Sequence, residues 1–230
     1  MKRRLFVTNG VLAGLSLASF SIVSCQLNPQ AKKGKKEEAD KPNIDELTIP
    51  EIQEKVKNGQ LTYVALTKIY LDRIQEIDKS GPKLNSVIEL NPDALAIAEA
   101  MDQERKNGKL RGPLHGIPVL IKDNIDSGDK MQTTAGSLAL AGNMAPKDAF
   151  VLKKLREAGV VLLGKTNLSE WANFRSTRSA SGWSSRGGQT HNPYILDRSP
   201  CGSSSGSAVA VSANLCAVAA GTCLHRSGFR

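Results

Sequence analysis

The stretch Ser199-Pro200-Cys201-Gly202-Ser203-Ser204-Ser205-Gly206-Ser207-Ala208 places several serines on a tight glycine turn. Glycine lets the backbone adopt positive φ and approach a substrate closely. The small residues that follow, Ala208-Val209-Ala210-Val211, can begin a helix whose terminal amides favour negative charge. Serines in this setting can become nucleophilic, so we interpret the stretch as a chemical site and not as a flexible linker.

An apolar segment with a polar end, Pro118-Val119-Leu120-Ile121-Lys122-Asp123-Asn124, precedes the serine turn in the chain. Together the two segments resemble the amidase signature family, whose turn reads Gly-Gly-Ser-Ser-Gly-Gly-Ser and whose lysine lies in a Pro-Val-x-x-Lys-Asp-Asn segment. Residues 112–118 and 164–170 carry further matches in the family's order, so the resemblance covers about residues 45–222. It implies an α/β fold with a mixed sheet flanked by helices. Because family members are markedly longer, it also implies a fold truncated in its C-terminal half.

The resemblance further implies a relay of proton transfers. In the family an unprotonated lysine takes a proton from a serine on a cis peptide bond, and that serine takes a proton from the nucleophilic serine. Matched by position, Lys122 is the base, Ser203 is the bridging serine and Ser227 is the nucleophile. Such a relay hydrolyses a carboxamide C–N bond through an acyl-enzyme, without a metal or a cofactor. The expected substrate is therefore a small-molecule or peptide amide.

Three residues depart from the family pattern around these serines. Cys201 and Ser205 stand where the family has glycines, and neither has glycine's freedom at positive φ. Arg226 stands beside Ser227 where the family has a glycine next to the oxyanion donors. A frameshift or truncation after Thr222 would explain this departure. A catalytically inactive lipoprotein fragment is therefore an alternative interpretation of the chain.

Two other sequence motifs match active or binding sites of different protein classes. Residues 202–206 match the nucleophile elbow of serine hydrolases with Ser204 as nucleophile, and His225 lies downstream. That class also needs an acidic residue, and no Asp or Glu follows Asp197 in the sequence. Residues 159–166 match the spelling of a phosphate-binding loop, but their middle is an apolar run that predicts a buried strand. The sequence therefore favours the amidase relay over both.

The first residues are typical of an export signal. Residues 1–4 are basic, residues 5–24 are mostly apolar, and Ile22-Val23-Ser24-Cys25 looks like a bacterial lipobox in which Cys25 takes the lipid. A single membrane anchor is the alternative, although polar residues interrupt the apolar stretch. The sequence thus predicts a signal peptide in residues 1–25, a disordered polar linker in 26–44 and a partial amidase domain in 45–230. The expected location is the cell envelope of a bacterium, where the lipid holds the exported protein to the membrane.

Charge and cysteine content exclude other classes of function. The formal net charge is +9, but much of it lies near the N-terminus, where lysines stand beside acidic residues without aromatic residues for base stacking. We therefore expect no nucleic-acid partner. Apart from Cys25, the three cysteines Cys201, Cys216 and Cys223 show no metal-binding spacing, which predicts no structural zinc and leaves their disulfide state open.

Hydrophobic periodicity predicts helices that alternate with strands. A capping box at residues 48–51 begins the first helix, and the pattern predicts further helices in 61–77, 93–105, 149–158 and 206–213. Short apolar runs predict strands in 86–90, 117–121, 160–163 and 215–220. This alternation indicates an α/β fold whose sheet is covered on both faces.

Overall fold

The computed structural model describes residues 42–174, 176 and 178–222. Cys25, His225 and Ser227 lie outside the described residues, as does the predicted signal peptide. The compact unit begins at Ile44, whose side chain is buried in the hydrophobic core. The folded part therefore includes the last residue of the predicted linker.

Helices and short strands alternate along the described chain. The α-helices are α1 (Ile49–Lys57), α2 (Tyr63–Arg73), α3 (Ala94–Lys106), α4 (Phe150–Glu157) and α5 (Ser205–Ser212), and a π-helical stretch, Ile74–Ser80, continues α2. The strands are β1 (Val87–Leu90), β2 (Pro118–Lys122), β3 (Val161–Thr166), β4 (Trp183–Ser184), β5 (Gly188–Gln189) and β6 (Val218–Ala220). Single turns of 3₁₀-helix lie at Leu138–Leu140 and Glu170–Asn173.

The capping box predicted at the start of α1 is present. The Glu51 backbone N–H donates to the Thr48 hydroxyl at 3.4 Å, and the Thr48 backbone N–H donates to Glu51 Oε2 at 2.7 Å. These two bonds satisfy amides that have no partner inside the helix. The side chains of Ile52 and Val56 then face the core.

The main sheet is mixed and has the strand order β1-β3-β2-β6. Strand β3 pairs antiparallel with β1 and parallel with β2, and β2 pairs parallel with β6. Every residue of β2 and β3 is buried, as expected for central strands covered by helices. The α/β class and the mixed sheet predicted from the sequence are therefore confirmed. Residues 161–166, which match the phosphate-loop motif in part, form the buried strand β3, whereas a phosphate-binding loop needs accessible backbone amides.

Parallel pairing brings chemically active residues to one edge of the sheet. Lys122 ends β2 beside Thr166, the last residue of β3, and β6 runs alongside β2 in the same direction. The segment that follows β6 therefore emerges at the same edge as Lys122. Helix α5 packs against β2 and β6, so the serine turn at its N-terminus also lies at this edge.

Helices α2 and α3 and the sheet share one core. Tyr63, Leu66 and Tyr70 of α2 are fully buried together with Leu120 and Ile121 of β2. Within the described part of the chain, no helix is both long enough and apolar enough to cross a membrane.

Candidate active site

Lys122 is fully buried at the end of β2, yet its amine has polar partners. Its Nζ atom lies 2.8 Å from Ser203 Oγ, 3.0 Å from the Thr222 carbonyl oxygen and 3.0 Å from Thr222 Oγ1. A buried amine costs a large desolvation free energy unless it is hydrogen-bonded or neutral. The structure thus brings together two of the three residues of the predicted relay, Lys122 and Ser203.

Ser203 lies in the turn that leads into α5, and the Gly202–Ser203 peptide bond is cis. The Ser203 carbonyl accepts a hydrogen bond from the Ser169 backbone N–H at 3.0 Å. A Cβ atom on Gly202 would lie 2.3 Å from Ser169 Oγ, so any side chain there would have to displace the Ser169 hydroxyl. The turn is therefore held tightly against the residues that follow β3.

Cys201 adopts φ +66° although it replaces a family glycine. This left-handed conformation is uncommon for a residue with a side chain. Local hydrogen bonds compensate, because the Cys201 N–H donates to Ser199 Oγ at 3.2 Å and the Cys201 carbonyl accepts from the Ser205 hydroxyl. The two replacements of glycine, Cys201 and Ser205, thus contact each other and leave Ser203 within reach of Lys122.

Ser204, the nucleophile of the competing elbow motif, donates its hydroxyl to the Thr222 carbonyl at 3.0 Å. Neither histidine in the described residues is its partner. His115 is buried with Nε2 3.0 Å from the Met101 carbonyl, and His191 Nδ1 lies 2.9 Å from the Leu196 carbonyl. Both described histidines therefore have backbone partners of their own, as expected for structural residues.

Thr222 is a site residue that the sequence reasoning missed. In addition to its two contacts with Lys122, its hydroxyl oxygen accepts from Asn124 Nδ2 at 3.0 Å. The signal that could have found it is topological, since a residue just past the end of β6 must lie near the residue that ends β2. That inference requires the parallel pairing of β2 and β6, which hydrophobic periodicity alone does not provide.

Comparison with known proteins identifies the family. Residues 65–223 match the family model described as Amidase. The chain belongs to the amidase family. Its core resembles the crystal structure of the peptide amidase of Stenotrophomonas maltophilia with a TM-score of 0.74 and 59% identity, over 76% of this chain and 36% of that one. An amidase family protein from Bacillus anthracis matches with a TM-score of 0.72 and 45% identity, over 75% of this chain and 34% of that one.

A curated relative of different name also matches this amidase-family chain. A glutamyl-tRNA(Gln) amidotransferase subunit of Streptomyces avermitilis is 41% identical over 181 residues, which are 78% of this chain and 34% of that protein. The chain therefore spans about a third of the length of the relatives it matches. The amidase-signature fold is shown, and the predicted mixed α/β architecture agrees with it.

Next to the lysine, the amidase-family chain carries a buried carboxylate. Asp123 accepts hydrogen bonds from the Thr134 hydroxyl at 2.5 Å and from the Gly136 backbone N–H at 3.0 Å. Burial raises the pKa of the Asp123 carboxyl above its ordinary value, although these hydrogen bonds and the nearby cations Lys165 and Arg186 oppose the increase. Asp123 thus has a dense set of partners, which includes Thr134, Gly136 and Arg186.

Two cations accompany this carboxylate. Lys165 of β3 is fully buried and donates to the Ile125 carbonyl at 2.7 Å and to Thr133 Oγ1 at 3.0 Å. Burial lowers the pKa of its amine, and Asp123 is the strongest opposing influence. Arg186, in the turn between β4 and β5, forms ion pairs with Asp123 and with Glu89 of β1. Sequence reasoning assigned no role to Lys165 or Arg186.

A small cavity opens beside Asn124, two residues after the lysine. Its volume is about 280 Å³, and its lining includes Asn124, Asp126, Leu140, Trp171 and Phe174. Asn124 also contacts Thr222, so one side chain joins the cavity to the partners of Lys122. The rings of Trp171 and Phe174 meet edge to face, with centroids 6.4 Å apart. The cavity is at the small end of the range for ligand sites, so it fits one side chain or acyl group.

In the described residues, no group of three or more His, Cys, Asp or Glu side chains is placed to hold a metal ion. The described cysteines, exposed Cys201 and buried Cys216, are free thiols. The Lys122 amine lies within hydrogen-bonding distance of the Ser203 and Thr222 hydroxyls, and an amine and a hydroxyl can exchange a proton.

Proposed function

We propose that the protein is an amidase that cleaves a carboxamide C–N bond through a relay from Ser227 to Ser203 to Lys122. The observation that carries the proposal is the 2.8 Å distance between Lys122 Nζ and Ser203 Oγ at a fully buried lysine. Membership of the amidase family supports it. Ser227 enters by sequence position alone.

The proposed relay requires Lys122 to be a neutral amine that can act as a base, and its partners are compatible with that form. The Thr222 carbonyl can only accept, so one N–H of Lys122 points to it. The Thr222 hydroxyl oxygen has two lone pairs, so it can accept a second N–H of Lys122 and also the N–H of Asn124 Nδ2. Two N–H donors are then accounted for. In the proposed relay, the nitrogen lone pair of the neutral amine accepts the proton of Ser203.

In the proposed reaction, Lys122 takes the Ser203 proton while Ser203 takes the proton of Ser227. The Ser227 oxygen attacks the amide carbon, and the tetrahedral intermediate collapses as the relay returns a proton to the leaving nitrogen. Water then hydrolyses the acyl-enzyme by the same relay and releases the carboxylic acid. Every proton moves among the substrate, the hydrolytic water and the three side chains, and the relay needs no cofactor.

The test compares ammonia release from a peptide amide by the wild-type chain and its variants. Lys122→Ala and Ser203→Ala should lower kcat by about 10³-fold or more, in the range expected for the loss of a proton-transfer group. Lys154→Ala, at an exposed lysine of α4, is the control and should keep full activity. Circular dichroism melting checks that the variants fold. Unchanged activity in either relay variant would end the proposed mechanism.

The same assay separates the competing serine mechanism. If Ser204 were the nucleophile, Ser204→Ala would abolish turnover and Ser203→Ala would spare part of it. In the proposed relay, Ser204 only donates a hydrogen bond to the Thr222 carbonyl. Ser204→Ala should therefore have a smaller effect than Ser203→Ala.

We propose a peptide amide or a small carboxamide as the substrate. The peptide amidase of Stenotrophomonas maltophilia supports this choice by its name and by 59% identity. The cavity lined by Trp171 and Phe174 could hold a group next to the scissile amide. A panel of amides with different neighbouring side chains, assayed for ammonia release, would test the assignment.

A catalytically inactive lipoprotein fragment is the second proposal. Its support is the sequence around Ser227, where Arg226 replaces a family glycine. A product that melts cooperatively and hydrolyses no amide would favour it over the first proposal.

We also propose that the protein is an exported lipoprotein attached to the bacterial membrane through Cys25. The support is the lipobox-like segment that ends at Cys25 after a basic and apolar leader. Mass spectrometry of the product expressed in a bacterium should show a diacylglycerol-modified Cys25 at the new N-terminus. A Cys25→Ser variant should lack the lipid and leave the membrane fraction, and a lipid-free wild type would contradict the proposal.

A further inference from the structure

We propose that Arg186 is a positioning residue for the proposed relay, because it holds Asp123 and thereby fixes the segment that places Lys122 and Asn124. The inference rests on the proposed function and extends it to a residue outside the relay. Arg186 contacts no atom of Lys122 or Ser203 in the described hydrogen bonds. Its effect must therefore pass through the residues it touches.

Arg186 joins two strands that are not otherwise paired. Its Nη1 atom lies 3.4 Å from Asp123 Oδ1, after β2, and Nη2 donates to Glu89 Oε2 on β1, while β3 lies between these strands. The planar guanidinium can serve two carboxylates at once, which a lysine ammonium does less well. The Arg186 side chain is only 14% exposed, so water screens these ion pairs weakly.

The turn that carries Arg186 is itself fixed to the segment after Asp123. The Arg186 backbone N–H donates to the Gly136 carbonyl at 2.9 Å, and Nη1 lies 3.4 Å from Thr134 Oγ1. A Cβ atom on Gly136 would lie 2.6 Å from Ser184 Cβ, so the two turns are closely packed. Arg186 therefore contacts residues 123–136 through both its backbone and its side chain.

Asp123 connects Arg186 to the relay through its two neighbours in the chain. It follows Lys122 directly, and its backbone N–H continues the strand pairing by donating to the Thr166 carbonyl at 3.1 Å. It precedes Asn124, whose amide contacts the Thr222 hydroxyl 3.0 Å from Lys122 Nζ. A rotation of the backbone at Asp123 would thus displace both the lysine and one partner of its amine.

The charges explain why a cation is needed at this place. Asp123 and Glu89 are two carboxylates in a poorly solvated region, and Lys165 and Arg186 are the cations that act on Asp123. The Lys165 amine donates its hydrogen bonds to Ile125 and Thr133 and forms no direct contact with Glu89 in the described hydrogen bonds. Without Arg186, Glu89 loses its ion-pair partner and Asp123 loses one of two nearby cations. The two carboxylates would then repel each other, and their side chains would move towards solvent.

The experiment uses Arg186→Gln in the full chain, with Arg186→Lys and Arg156→Gln beside it. Arg156 is a matched control, because it also bridges two carboxylates, lying 2.5 Å from Asp129 and 2.9 Å from Asp148, and Asp129 belongs to the same segment. Three quantities are measured: kcat and KM for a peptide amide, the melting temperature, and hydrogen exchange of the Ala135 and Gly136 amides. Those two amides donate to Asp123.

We expect Arg186→Gln to lower kcat by roughly 10- to 100-fold, the size expected when a reacting group is displaced by about 1 Å. KM should change by less, and the Ala135 and Gly136 amides should exchange faster. Arg186→Lys should recover part of kcat. Arg156→Gln should lower the melting temperature by a similar amount and leave kcat within about twofold of the wild-type value.

Each contrary result has a defined meaning. Arg186→Gln with wild-type kcat in an active enzyme overturns the positioning role and leaves the proposed function intact. Equal losses of kcat in Arg186→Gln and Arg156→Gln also overturn it, because a general loss of stability would then suffice. A wild-type chain that cleaves no amide overturns the proposed function, and the positioning role falls with it.

Discussion

The hydroxyl of Thr222 supplies one of the acceptors around the Lys122 amine. Its oxygen has two lone pairs and lies 3.0 Å both from Lys122 Nζ and from Asn124 Nδ2, which donates to it. A methyl group in place of this hydroxyl would remove that acceptor from the lysine amine. The amine would then be held less firmly beside Ser203.

Thr222→Val tests this role with a side chain of the same shape. Loss of one hydrogen bond to a buried group costs about 1–3 kcal/mol, so kcat should fall by roughly 5- to 100-fold. Thr222→Ser keeps the hydroxyl and is the control, with kcat near the wild-type value. Steady-state ammonia release measures both. Equal activity of the valine and serine variants would show that the hydroxyl does not orient Lys122.

At the scale of single residues, the sequence predicted Lys122 and Ser203, and the structure places them in contact. Both lie in local motifs whose neighbours carry the resemblance. Thr222 and Arg186 were missed because their importance comes from contacts with residues far away in the chain, such as Asn124 and Glu89. Such contacts depend on strand register and loop packing, which a short motif does not encode.

Helix α4 contributes few buried side chains to the core. Helix α4 has one buried residue, Leu152, and its neighbours Phe150 and Val151 are exposed. This helix lies between β2 and β3 in chain order, after the segment that contains Asp123. Its attachment to the core therefore depends mainly on Leu152.

Leu152→Ala should destabilise the fold by about 2–5 kcal/mol, since it removes a fully buried leucine and leaves a cavity. Val151→Ala is the control on the same helix, and its side chain is 45% exposed, so its cost should be about 0.5 kcal/mol or less. Urea unfolding followed by circular dichroism measures both. Similar losses in the two variants would mean that α4 is not anchored at Leu152.

At the scale of elements, the helices and strands were found close to their predicted places, and the differences have physical causes. The third strand was predicted to end at residue 163, but it continues through Lys165 to Thr166. Polar residues usually mark the end of a buried strand. Here they continue it, because Lys165 contacts Ile125 and Thr133 and because Thr166 Oγ1 lies 2.7 Å from Ser207 Oγ.

The last strand differs in the other direction. It was predicted across residues 215–220, but only Val218–Ala220 pair as β6. The residues before it form a turn in which the Leu215 N–H donates to the Ala210 carbonyl at 2.8 Å and Asn214 adopts φ +54°. Leu215 and Cys216 are nevertheless buried, so their apolar character reflects the core and not a strand.

For the molecule as a whole, Cys216 should make the fold sensitive to alkaline pH. Burial raises the pKa of its thiol from 9.0 to about 12. The folded protein therefore keeps this proton over a pH range in which the unfolded chain loses it. Stability should fall as pH rises from 9.0 towards 12, by up to about 1.4 kcal/mol per pH unit from this group.

Cys216→Ser replaces the thiol with a small group that does not ionise in this range. The variant should lose less stability than the wild type between about pH 9 and about pH 11, although its stability near neutral pH should be lower because a hydroxyl is buried. Urea unfolding at each pH gives the two slopes. Parallel slopes would show that other groups control the alkaline limit.

Lys122 and Asp123, at the end of β2, contact different groups of residues, because successive side chains of an extended backbone alternate in direction. The amine at 122 meets Ser203, while the carboxylate at 123 meets Thr134. A point substitution in residues 118–121 leaves this alternation unchanged. One inserted or deleted residue would instead turn the Asp123 carboxylate towards the serine turn and the Lys122 amine towards Thr134 and the other partners of Asp123. Natural variation in this stretch should therefore exchange one apolar residue for another far more often than it changes the length of the segment.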